Sequence, residues 1–386
     1  MKKDMIKRSL KLGGTMIIIL ILLSSTCVTA FASDSTEDEV MENLGELLDE
    51  LPDGVKDKLP QSIENEEGID NTILEMTDAS YILGVVKEIL GVEFSASLKL
   101  FTSLIGIIVI FGIFGVSKNS FGDSAIPTAV RFSGVCAVML IVVQTQYEGL
   151  LKVKEYFDQI NNIILGMIPI TGTVWAMGGN VSTASAGSAT MYVFLNTSQL
   201  LFGKTVLPMA AIGTCLAFCN GISPNIDFKR ISGGIRRIYV FMIGTIVAVF
   251  GAILSAQTMI TAASDCATAR TAKFITATVI PIVGGSVGDS LRTVAAGVQY
   301  IKSIIGVGGI IMVFLTILPI LISLLLTRFS LSFASGIAGF FGCGDIGGLL
   351  GELAEVYSGI IAAVALTGVM FILAFFIFIK TAIAIA

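Results

Sequence analysis

The chain has no histidine and little charge: Asp, Glu, Lys and Arg make up 14% of its 386 residues, against roughly 25% in a typical soluble protein. Without imidazole there is no His acid–base chemistry, no Ser-His or Cys-His nucleophile pair, and no access to the commonest metal ligand. The shortage of charge removes the polar surface that a water-soluble body of this length requires. No basic tract of the kind that binds nucleic acid is present. The six cysteines lack the spacing of a disulfide framework. Cys215 and Cys219 share a helix face at i,i+4, but the companion ligands of a closed metal site are missing. They read as small apolar packing residues, so no catalytic residue, cofactor or metal is expected.

Apolar residues make up 54% of the chain, and the mean hydropathy is +0.89. They occur in runs near or above about 20 residues, the length that crosses a bilayer as helix. An all-α integral membrane protein is the class that fits.

Charge is unevenly placed. Residues 33–80 hold 16 of the 29 acidic residues and only two bases, Lys56 and Lys58, whereas 81–386 holds 12 acids and 17 bases. Residues 1–32 have the form of a secretory signal peptide. Lys2, Lys3, Lys7, Arg8 and Lys11 precede the apolar Met16 to Leu23, and Ala30-Phe31-Ala32 supplies the small-x-small cleavage pattern. An uncleaved anchor is the rival reading. Either way the acidic segment 33–80 is expected outside the cytoplasm, as a solvated tether or as a docking helix built on Val40, Leu44, Leu47, Leu48 and Leu51.

Residues 81–386 form the expected polytopic membrane domain. Spans are predicted at about 98–116, 131–150, 204–223, 238–263, 303–327 and 356–380. Regions 163–200 and 274–300 are apolar but rich in Gly, Ser, Thr and Ala. They read as two broken, re-entrant helical hairpins, for about six to eight spans in all. Lys229, Arg230, Arg236 and Arg237 lie between two spans and mark a cytoplasmic loop suited to a partner.

Ile168-Pro169-Ile170-Thr171-Gly172 recurs as Ile280-Pro281-Ile282-Val283-Gly284, and Leu207-Pro208 recurs as Leu318-Pro319. Together with the matching hydropathy, this makes 130–223 and 242–327 two copies of one unit. Transporters are commonly built from such repeats, with interrupted helices near the midplane. Ionisable groups at membrane depth are costly, which makes them functional candidates. Asp289 and Arg292, three residues apart, are therefore candidates to line a pore or substrate path, together with Asn180, Pro169, Pro281, Gly172 and Gly284. The alternative is that the pair neutralises itself near the interface. Gly284 to Asp289 resembles a phosphate loop only superficially, because the closing Gly-Lys-Ser/Thr is absent.

The order of these features resembles the stage III sporulation protein AE family. The specific part is Val279 to Ser290 (VIPIVGGSVGDS), followed by Ala295-Ala296-Gly297 and an Ile/Gly-rich span. The resemblance implies a permease-like or channel subunit of the complex that links mother cell and forespore, in the mother-cell-derived membrane around the forespore. The implied partners are membrane lipid and other stage III channel-complex proteins, including an ATPase-like subunit. The family brings no catalytic residues. A non-transporting scaffold that anchors a ring or recruits an ATPase is the alternative function.

Overall fold

The computed structural model describes residues 76–116, 126–177, 181–222, 233–235, 237–253, 255 and 284–380. The expected leader at 1–32 and nearly all of the acidic segment 33–80 lie outside these residues. So do Asn180, Lys229, Arg230, Arg236 and Pro281. Among the described residues every position is helical except 77, 78 and 341–343.

Six helices result: α1 (Ala79–Val116), α2 (Ile126–Met177), α3 (Val181–Ile222), α4 (Gly233–Ile253), α5 (Gly284–Phe340) and α6 (Gly344–Lys380). Each is long and apolar enough to cross a membrane. The chain is an all-α, multi-pass membrane protein.

Several helices exceed the thickness of a bilayer. The 52 residues of α2 and the 57 of α5 extend for about 80 Å at ~1.5 Å per residue, against a hydrocarbon core of ~30 Å. The second span, expected to end near 150, continues as one helix to Met177. The polar patch from Lys152 to Asp158 lies within it. One face explains the continuation: Val153, Tyr156, Phe157, Ile160, Ile163, Ile164 and Met167 are all buried, at the spacing of a helical stripe.

The same helix corrects the reading of residues 163–200 as broken at Pro169. Pro169 and Gly172 lie inside α2, where buried Met167, Ile170 and Val174 hold the helix against the core. The two helices of this region, the end of α2 and the start of α3, are joined instead by residues 178–180, outside the described set. Pro208 and Pro319 also lie within helices, α3 and α5. Each removes one ladder hydrogen bond.

The core is the α5–α6 hairpin. A left-handed Gly342 (φ 73°) ends α5. Its N–H bonds to the Gly339 carbonyl at 3.3 Å, and the Cys343 N–H to that of Ala338 at 2.9 Å, a double bond pattern that satisfies the last carbonyls of a helix. Small residues then bring the two helices together. A methyl at Gly306 would collide with Ile379, one at Gly309 with Phe375 and one at Gly368 with Ile317.

The remaining helices pack around this hairpin. α1 and α2 lie against α5, and α3 lies against α6 and α2. Neighbours in sequence run antiparallel. Gly112 of α1 meets Phe341, Gly134 of α2 meets Phe111 and Ile346, and Gly221 of α3 meets Val135 and Leu349. One end of the bundle therefore gathers the close of α1, the start of α2, the close of α3 and the α5–α6 turn. Polar bonds tie the helices laterally. Ser97 and Ser330 share a hydroxyl bond of 2.7 Å, Gln146 Nε2 donates to Thr214 Oγ1 at 2.9 Å, and Tyr156 donates to the Val364 carbonyl at 3.2 Å. Lys152 Nζ donates to Glu93 at 2.7 Å and to Ser323 Oγ at 3.5 Å.

Candidate functional site

Near the gathered end, α3, α4 and α6 do not close completely. They leave a cleft of about 90 Å³ lined by Met209, Gly213, Leu216, Tyr239, Glu352 and Glu355, among others. The opening follows from side-chain size. Gly213 has no side chain to fill the gap, and a methyl there would stand 2.8 Å from Val356. Gly359 leaves room for the Tyr239 ring, whose nearest carbon would lie 3.5 Å from a methyl at that position.

The ionisable groups of the lining are two carboxylates and a phenol. Glu352 and Glu355 are three apart on α6, on one helix face. Asn220, near the end of α3, donates its side-chain N–H to Glu352 Oε1, and Glu352 Oε2 is shielded from solvent. Tyr239 is 6% exposed, and its hydroxyl has no hydrogen-bond partner among the described residues. Carboxylates at the head of an apolar transmembrane helix are expensive to place, and they persist where they have a task.

Of the residues singled out in sequence, Asp289 and Arg292 fall in the first turns of α5, and Gly284 opens that helix. The surroundings of their side chains lie outside the described residues. Pro169 and Gly172 lie in α2, away from the cleft lining. Arg237 is exposed in the first turns of α4, between the cleft residues Ile235 and Tyr239. The basic segment therefore borders the cleft, a relation that spacing alone does not give.

Glu352, Glu355, Asn220 and Tyr239 were missed in sequence. The last span was started at 356, which left both glutamates just outside it. The available signal was a pair of acids at i,i+3 immediately before an uncharged run of more than 20 residues. Lys302 was missed likewise, one position before its span. It is 1% exposed, with Nζ 5.6 Å from the centroid of the Phe378 ring, within reach of a cation–π contact.

A family model described as Stage III sporulation protein AE matches residues 67–382. A relative of that description from Bacillus subtilis (strain 168) is 25% identical over 283 residues, covering 73% of this chain and 70% of the relative. No solved structure matches the chain. The family model takes in all six helices and the cleft between α3, α4 and α6, and the chain belongs to the stage III sporulation protein AE family.

Proposed function

We propose that the chain is a permease-like or channel subunit of the assembly linking mother cell and forespore, seated in the mother-cell-derived outer forespore membrane. The observation that carries this reading is the carboxylate-lined cleft within an otherwise closely packed apolar bundle. Its walls come from α3, in the first proposed repeat, and from α4, which runs into the second. Pro208 and Pro319, aligned by the proposed duplication, both lie inside long helices. The partners in this reading are lipid and other stage III proteins, including an ATPase-like subunit near the basic segment from Lys229 to Arg237. The chain carries no catalysis of its own. Its leader directs the acidic segment 33–80 out of the cytoplasm.

A scaffold role is favoured by a different observation, the glycine-tight α5–α6 hairpin. The two readings separate in sporulating cells carrying Glu352→Gln together with Glu355→Gln. With chain level and membrane placement unchanged, a conducting role lowers both the passage of a small fluorescent solute between the compartments and the count of heat-resistant spores, by tenfold or more. Normal passage and normal spore counts would hand the function to the scaffold.

A further inference from the structure

We infer that the cleft between α3, α4 and α6 is a binding site for a small cation, a monovalent metal ion or a compact protonated amine. The inference deepens the proposed function and relies on the cleft being the working part of the chain.

Three features converge. First, Glu352 and Glu355 bring two carboxylates to one wall, at a separation where like charges disfavour each other's ionised form unless a cation lies nearby. Asn220 holds the Glu352 carboxylate by donating to Oε1, which fixes one of the two in place. Second, the Tyr239 hydroxyl enters from the opposite helix. It is buried, borders the cleft, and has no hydrogen-bond partner among the described residues. A buried hydroxyl left in that state loses hydration without compensation. A cation beside it accepts its oxygen lone pair, and a protonated amine donates a hydrogen bond to it. Third, size restricts the occupant. The cleft is about 90 Å³, and a water molecule's share of liquid volume is about 30 Å³. A small ion with one or two waters fits, as does methylammonium, but a nucleotide or a peptide does not.

The oxygen donors, two carboxylates and a hydroxyl, suit hard cations. The aliphatic remainder of the lining, including Val206, Leu216 and Ile360, lowers the local dielectric and strengthens the attraction.

The test uses the purified full chain in lipid nanodiscs, so no partner, gradient or transport is needed. Its melting temperature is followed against added NaCl, KCl or methylammonium chloride, with N-methylglucamine chloride holding ionic strength constant. A ligand that binds the folded state raises the melting temperature with saturable dependence. At least one of the three small cations should do so, and which one distinguishes metal ion from amine. Tyr239→Phe, which keeps the ring, should weaken the apparent affinity about 3- to 10-fold. Glu355→Gln should weaken it further. The inference is overturned if all salts act like N-methylglucamine chloride, or if Tyr239→Phe and Glu355→Gln both leave the shift intact. Loss of solute passage in cells without any cation shift would sink the cation site and leave the permease reading standing.

Discussion

Cys343 shows how a single residue is set by its place between two helices. The thiol lies in the α5–α6 turn, with Sγ 3.9 Å from the Phe341 carbonyl and 4.0 Å from that of Ile108. Burial pushes its pKa above the ordinary 9.0, and the Asp345 carboxylate adds to the rise. The thiolate is the reactive form, so the sign is clear: protonation is favoured, and reactivity is suppressed at neutral pH. In a chain where Cys343 is the sole cysteine, maleimide coupling at pH 7 should be slower than for a free thiol. Its rate should still climb with pH where a free thiol has levelled off. Asp345→Asn should speed it modestly. A plateau at or below the ordinary thiol value would contradict this account. The sequence showed Cys343 beside apolar segments, but its exposure and its acidic neighbour's effect depend on a turn whose geometry is set by the left-handed Gly342.

At the scale of elements, the α5–α6 hairpin carries the fold, and its glycines mark where the backbones come closest. A side chain at Gly309 must displace the Phe375 ring, and one at Gly368 must displace Ile317. Overpacking of this kind costs roughly 1–3 kcal/mol per site. Gly309→Leu and Gly368→Leu should each lower the thermal stability of the purified chain, while Gly336→Leu should not, since nothing lies within 4 Å of a methyl there. Equal losses at all three sites would show that helix propensity, not close approach, governs the effect. The helices themselves were legible because runs of about 20 apolar residues have few alternatives. Their lengths were not. The polar patch from Lys152 to Asp158 looked like a loop because charge was counted along the chain. In three dimensions those charges sit on the outer face of α2, and the opposite face, Val153 to Ile160, is buried.

For the whole molecule, six antiparallel helices imply an arrangement of sides. If each crosses once, Asp78 and Lys380 share one face of the membrane, and Arg237 and Asp345 share the other. Single cysteines at these four positions, in a chain otherwise free of cysteine, should label in those two pairs with an impermeant thiol reagent. Any other pairing would require a different number of crossings. Composition alone made this chain a helical membrane protein, because a chain with 14% charge and no histidine has neither the surface for water nor the groups for His-based catalysis. The order of apolar runs and the motif around Val279 to Ser290 also sufficed to place it in its family. Tertiary structure decided the rest. Whether Glu352 meets Asn220, 132 positions away, or Tyr239 meets the gap beside Gly213, depends on which helix faces touch. Those contacts are chosen by the close approach of small residues, which hydropathy cannot distinguish from any other apolar stretch.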